Sequence, residues 1–283
     1  MSQPPSAGPD YTAPQFAGCY RHPDRQTGIS CQRCRRPICG ECMQPASVGF
    51  QCPKCVASGR ESVRAPRTAF GATMRSGSGS TATKIVMGAL AASYVLNFVS
   101  GGLLLSLLAM SNFAVEQGQV WRLLTYGFTS VGLLGVLMNL LVLLIAGRAL
   151  ESVLGGWRFL ALYVAAGLGG ATLFFLLGPP GVGAVGASSA VIGLLAANAI
   201  VNLKRGDDIR PDIGLLVLLV LYSVLVGFRS FGWIGLIGGI AVGALVGAIL
   251  AYAPRERRTA TQVAGLVGVF VVCLAAVSAK ILL

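Results

Sequence analysis

Apolar runs long enough to cross a bilayer recur seven times along the chain, at roughly residues 85–105, 128–147, 157–177, 186–203, 213–228, 231–252 and 262–282. A hydrocarbon core about 30 Å thick needs about 20 apolar residues in a helix that rises 1.5 Å per residue, so each run predicts a transmembrane helix. The first 80 residues follow a different pattern: they are polar and rich in Pro, Ser, Gly and Arg, and lack the apolar core of a cleavable signal peptide. The predicted organisation is a disordered N-terminus (1–17), a small cysteine-rich domain (18–56), a flexible basic linker (57–83), a membrane domain (84–253), and a cytoplasmic loop with a seventh helix (254–283). The fold class is an all-α polytopic membrane protein.

Within the runs, small and polar residues are placed with a period. Gly239, Gly243 and Gly247 share one helical face and form a strip on which another helix can approach closely. Asn97, Asn139, Ser188, Ser189, Asn198 and Asn202 lie inside spans, and an Asn in hydrocarbon must find a partner, so these are expected to face the bundle. Because no Asp, Glu or His lies on a plausible path through the spans, an ion- or proton-coupled carrier is disfavoured.

The chain is 54% hydrophobic and 11% charged, with mean hydropathy +0.73, which excludes an ordinary water-soluble domain. Its net charge of +12 would suit nucleic acid in a soluble protein. In a membrane protein the same excess follows from cytoplasmic loops retaining Lys and Arg, and no nucleic-acid partner is expected. With the N-terminus inside, Arg148, Arg158, Lys204, Arg205, Arg210, Arg255, Arg257 and Arg258 fall on the cytoplasmic side, against Arg122, Arg229 and Lys280 outside. The expected location is the cell membrane, with the N-terminus cytoplasmic and the C-terminus outside. Arg60, Arg64, Arg67 and Arg75 of the linker would then lie near anionic headgroups.

Seven of the eight cysteines lie between residues 19 and 55, and the only histidine, His22, lies among them. They read as four pairs, each separated by two residues: Cys19 with His22, Cys31 with Cys34, Cys39 with Cys42, and Cys52 with Cys55. Such a gap lets two ligands converge on one tetrahedral ion, so eight ligands predict two closed, structural Zn²⁺ sites. A segment of about 40 residues has too small a core to fold alone, so metal binding would supply its folding free energy. The order and spacing resemble the B-box type of zinc finger. That resemblance implies alternating pairs, with Cys19, His22, Cys39 and Cys42 on one ion and Cys31, Cys34, Cys52 and Cys55 on the other. Spacing alone leaves sequential pairing open. Reduced thiolates point to a reducing compartment, in agreement with a cytosolic N-terminus.

Four motifs follow in order between about residues 84 and 253: Gly118-Gln119-Val120-Trp121-Arg122-Leu123-Leu124-Thr125, Gly147-Arg148-Ala149-Leu150-Glu151, Gly186-Ala187-Ser188-Ser189-Ala190, and Gly235-Leu236-Ile237-Gly238-Gly239. By their order and spacing this stretch resembles the rhomboid family of intramembrane serine proteases. The resemblance implies a rhomboid-like six-helix bundle, here with a seventh helix. By the same resemblance Ser188 stands at the nucleophile position, while Asn139 and Gly186 belong to the oxyanion side and the scaffold.

Two positions depart from the family pattern. Leu236 stands where the base of the Ser–His dyad is expected, and Gly135 replaces the histidine one turn before Asn139. A serine hydroxyl is a weak nucleophile until a base takes its proton. The one histidine is claimed by metal, and Arg does not deprotonate. Asp207, Asp208 and Asp212 are expected in a cytoplasmic loop. Lys280 is the one lysine expected on the side of Ser188, at the end of a peripheral helix. The expected function is a pseudoprotease that binds the transmembrane segments of client proteins, with its finger contacting a cytosolic partner. The alternatives are a serine endopeptidase using Ser188 with Lys280, and a membrane anchor that displays the finger.

Overall fold

The tightly spaced cysteines and the long apolar runs separate into two units, divided between Ala65 and Pro66. The computed structural model describes residues 16–62, 68, 70–71, 80–227, 231–254 and 256–282. Most of the predicted disordered N-terminus lies outside these residues, as do Arg64, Arg67, Arg75, Arg229 and Arg255.

The first unit is almost all loop, because short cysteine knuckles take the place of regular structure. Two minimal hairpins, β1 (Ala17–Gly18) with β2 (Gln26–Thr27) and β3 (Gln44–Pro45) with β4 (Phe50–Gln51), bracket the ligand pairs. A helix, α1 (Pro53–Ser62), closes the unit. Its buried interior consists of Cys19, Cys31, Ile38, Cys39, Cys42 and Cys52, so Ile38 is the one aliphatic side chain among them. Such a core is small, as in units whose folding draws on metal ligation.

The second unit is helical. After α2 (Thr81–Val99) come short pieces: α3 (Leu103–Leu108), β5 (Met110–Ser111), α4 (Asn112–Glu116), α5 (Arg122–Thr125) and a 3₁₀ turn (Tyr126–Phe128). The second span is α6 (Leu133–Val142), a π turn (Leu143–Gly147) and α7 (Arg148–Leu154), continuous over Leu133–Leu154. Then follow α8 (Gly156–Leu177), β6 (Gly183–Ala184), α9 (Ala187–Arg205), α10 (Arg210–Gly227), α11 (Gly232–Tyr252) and α12 (Arg258–Leu282). Among the described residues six helices are long and apolar enough to cross a membrane. The helix α10 occupies the remaining predicted span. β5 pairs antiparallel with β6, a short ribbon that periodicity did not predict.

The bundle centres on α8, α9 and α11, and the glycine strip explains how they meet. A Cβ on Gly247 would come within 2.8 Å of the Ala197 Cα, while Gly243 faces the Gly193 backbone and Gly239 faces that of Ser189. Four-residue steps on α11 thus match four-residue steps on α9. Gly238 and Gly235 meet Gly169 and Gly170 of α8 in the same way. Backbone-to-backbone contact leaves no room for a methyl group, and it substitutes for the hydrophobic drive that lipid does not supply.

Polar anchors fix the remaining helices. The buried Glu151 carboxylate of α7 accepts the Ala82 and Thr83 N–H groups at 2.9 and 2.7 Å, and the Thr83 hydroxyl at 2.7 Å. It thereby satisfies orphan donors at the start of α2. The buried Gln262 of α12 accepts Arg158 Nε at 2.7 Å and donates to the Leu250 carbonyl at 3.0 Å.

Several expectations change. The linker 57–83 is not uniformly flexible: its first part continues α1 to Ser62, and Phe70 is buried in the core of the membrane unit. Thr68 also donates to the Val153 carbonyl at 2.8 Å. The first span runs Thr81–Val99 rather than 85–105, because the Ser100–Gly102 turn ends it. Asn97 turns back to accept the Leu105 N–H at 2.9 Å instead of facing the bundle. Asp212 lies in the first turn of α10, not in a loop. Lastly, α12 is no loose addition, since Leu266, Val269, Cys273 and Val277 are buried in the same core as α8 and α11.

Candidate functional site

Ser188 lies in the first turn of α9, just after Gly186, the residue that starts the helix. Gly186 is there because the Tyr126 ring lies where its Cβ would be. The Gly186 and Ala187 N–H groups donate to the Tyr126 and Thr129 carbonyls at 3.1 and 3.0 Å, and these bonds lock the helix start. Ser188 is half-buried. Asn139, buried on α6, donates from Nδ2 to the Ser188 Oγ at 3.3 Å. The expected neighbours Ser188, Asn139 and Gly186 are therefore together.

Neither of the two degenerate positions supplies a base. Leu236, in the first turns of α11, is a buried hydrocarbon. At Gly135 a Cβ would make only an ordinary 3.7 Å contact with Ser130 Oγ, so the missing side chain has left space unfilled.

Asp212, Glu151 and Lys280 are engaged elsewhere. Asp212 accepts both Asn198 Nδ2 at 2.9 Å and Asn202 Nδ2 at 2.7 Å, which ties α10 to α9. Glu151 is held on α2. Lys280 donates to the Phe175 and Leu176 carbonyls at 2.5 and 3.2 Å and lies over the Phe175 ring. An ammonium that caps the C-terminal end of α8 is a donor, so the Ser188–Lys280 dyad of the alternative reading is not assembled.

Sequence reasoning expected Ser189 to face the bundle but gave no place to the Tyr126 hydroxyl, and the structure buries both. Tyr126 Oη lies against Gly235, and Ser189 Oγ is wedged between Gly170 and Gly239. Both are buried without a hydrogen-bond partner. The doubled serine in GASSA was the available signal.

In the first unit the alternating arrangement is the one formed. Cys19, His22, Cys39 and Cys42 make one cluster, and Cys31, Cys34, Cys52 and Cys55 the other, with the ligand atoms of each within 4.8 Å of one another. Tetrahedral Zn–S bonds of about 2.3 Å imply sulfur–sulfur edges near 3.8 Å. Cys34 and Cys52 Sγ are 3.7 Å apart, and His22 Nδ1 lies 3.3 and 3.5 Å from Cys39 and Cys42 Sγ, so both clusters fit such an ion.

Protonation follows from the same geometry. Burial pushes the Cys31 thiol up, but the N–H groups of Cys34, Cys52 and Arg33 outweigh it and bring it down to about 6. At Cys19 burial is likewise outweighed by the N–H groups of Arg21, Cys39 and His22, and its value is also about 6. Hydrogen bonds with Cys52 and Cys34, together with burial, push Cys55 up to about 12. A divalent cation is what would let four such thiols ionise together.

These features define a polytopic membrane protein with a serine at a helix start and a pair of metal-binding tetrads. Residues 117–253 match the rhomboid domain family. The chain is 34% identical over 146 residues to Rhomboid protease GluP of Bacillus subtilis (strain 168), covering 49% of this chain and 28% of that protein. It is 32% identical over 124 residues to RHOMBOID-like protein 5 of Arabidopsis thaliana, covering 42% and 40%. It is also 29% identical over 150 residues to Putative rhomboid protease YdcA of Bacillus subtilis (strain 168), covering 52% and 75%. The aligned part spans less than half the length of the first two relatives. Residues 117–253 are thus similar to the rhomboid domain, in a chain with six candidate membrane spans among its described residues.

Proposed function

We propose that this protein is a rhomboid pseudoprotease: a scaffold that binds transmembrane segments of client proteins in the bilayer without cutting them, and that carries a finger folded around two Zn²⁺ ions. The observation that carries the reading is the position of the only histidine. His22 is drawn into the tetrad with Cys19, Cys39 and Cys42, in a different unit from Ser188, and Leu236 stands where a base would be needed. General-base assistance contributes about 10²–10⁴ in rate, so a hydroxyl without it falls short of useful turnover. Asn139 can still polarise Ser188 Oγ, but an amide N–H takes no proton.

The finger would lie in the cytosol, with α12 ending outside the cell membrane. Support comes from reduced thiolates and from the side on which the arginines and lysines fall. The B-box-like order of the ligands and their tetrahedral spacing support zinc over a redox role.

A second reading, residual serine-protease activity, draws on the surviving Asn139–Ser188 contact and on relatives named as proteases. One experiment separates the two. Purified protein in proteoliposomes is incubated with a transmembrane peptide that carries a photo-crosslinker. The pseudoprotease reading expects crosslinking without cleavage, unchanged by Ser188→Ala. Cleavage that disappears in Ser188→Ala would overturn it.

A further inference from the structure

The finger carries a surface that the metal sites do not require. Its second knuckle is a closed loop, with the Cys31 N–H donating to the Arg36 carbonyl at 2.8 Å and the Arg35 N–H to the Cys31 carbonyl at 2.8 Å. Arg33, Arg35 and Arg36 of this loop are exposed, although the Arg33 guanidinium donates to the Cys55 carbonyl at 3.3 Å and that of Arg36 lies over the Tyr20 ring at 5.8 Å. The β3–β4 hairpin lies beside it: the Gln32 N–H donates to the Phe50 carbonyl at 2.9 Å, and a Cβ on Gly49 would come within 2.9 Å of Gln32 Cγ. At the hairpin tip Val48 is 80% exposed and Phe50 is 38% exposed. An exposed apolar tip therefore lies beside an exposed basic knuckle.

Two further observations give this end a purpose. Arg35 has φ +57°, a left-handed conformation that favours Gly or Asn. In addition, the finger's Glu41 is paired with Arg25, at 2.6 Å, and not with the knuckle arginines.

We propose that this end of the finger docks on an anionic lipid surface, with Val48 and Phe50 entering the headgroup region and Arg33, Arg35 and Arg36 on lipid phosphates and carboxylates. The inference rests on the finger being folded by metal, as in the reading above. A lipid surface fits better than a soluble partner for a covalent reason. Only a few residues separate Ser62 from Phe70, which is seated in the membrane unit, so the connection keeps the bilayer at high effective concentration. Cationic residues near a bilayer are attracted to anionic lipid, and an apolar tip adds burial that a purely electrostatic contact lacks.

The test uses the full zinc-loaded chain in nanodiscs of phosphatidylcholine, with or without phosphatidylserine. Hydrogen exchange is followed across residues 31–51, and zinc content is measured in parallel. Exchange at the hairpin tip and knuckle is expected to slow several-fold in the anionic discs alone. High salt, Arg35→Gln with Arg36→Gln, and Val48→Asp should each reverse that slowing without loss of zinc. Equal exchange in both discs, or protection that survives these variants, would overturn the proposal. Stronger protection by added RNA in neutral discs would also overturn it, by making the surface a polyanion site. Zinc loss in the arginine variants without lipid dependence would show that the arginines only offset the thiolate charge. Loss of zinc from the unaltered chain would instead refute the metal-folded finger itself.

Discussion

Asn139 Nδ2 lies 3.3 Å from Ser188 Oγ and donates to it. The contact reaches the oxygen of the hydroxyl and leaves its hydrogen without a basic acceptor. Purified protein should therefore resist fluorophosphonate labelling. Leu236→His should raise labelling by about 10²-fold or more, and a further Ser188→Ala should abolish it. In-gel fluorescence of the probe reads all three. Labelling of the unaltered chain would contradict the pseudoprotease reading.

The α9–α11 contact predicts a sharp contrast between two glycines. Gly243→Ala drives a methyl group into the Gly193 backbone and should destabilise the bundle by about 1–3 kcal/mol or more. Gly88→Ala meets nothing within 4 Å and should be neutral or stabilising by up to about 1 kcal/mol. Thermal unfolding in one detergent compares them directly.

Glu151 holds two backbone N–H groups and a hydroxyl at the start of α2. Glu151→Gln replaces a charged acceptor with a group that presents its own N–H donors, at a cost of about 1–3 kcal/mol. Faster hydrogen exchange confined at first to the first turn of α2 would identify the lost cap.

Removing Lys280 tests its structural role. Lys280→Met should expose the Phe175 and Leu176 carbonyls and lower the melting temperature, with a loss of about 1–3 kcal/mol. Fluorophosphonate labelling of the Leu236→His protein should be unaffected. Loss of that labelling would assign the lysine a part in the chemistry.

Metal content should follow pH with a defined sign. Cys19 and Cys31 are held at about 6, below the ordinary thiol value of 9.0. The stability gained from their thiolates is fully present above pH 9 and is lost as pH falls through about 6. Two ions per chain are expected above neutrality, and both should be released on acidification below about pH 6. Cys39→Ser should reduce the stoichiometry to one. Because Cys55 and Cys42 lie at about 12 and 11 without metal, zinc addition at neutral pH should release protons. Elemental analysis after gel filtration and an indicator-dye titration check these outcomes.

Much of this protein was determined along the chain. Helix-length apolar runs, C-x₂-C spacing and GxxxG steps depend on neighbours a few residues apart, so the spans, the ligand residues and the glycine strip could all be read from the sequence. The missing base could be read as well, because one histidine is a count and needs no geometry. Ligand spacing left the pairing open between alternating and sequential order, and the tertiary structure brings Cys31 and Cys34 to Cys52 and Cys55, the alternating order that the B-box resemblance implied. Tertiary structure alone decided the fate of groups whose partners are far away in sequence: Lys280 on the end of α8, Glu151 on the start of α2, and Phe70 inside the membrane unit. Each is placed by packing between elements, and local periodicity carries no record of a partner about 70 to 100 residues away.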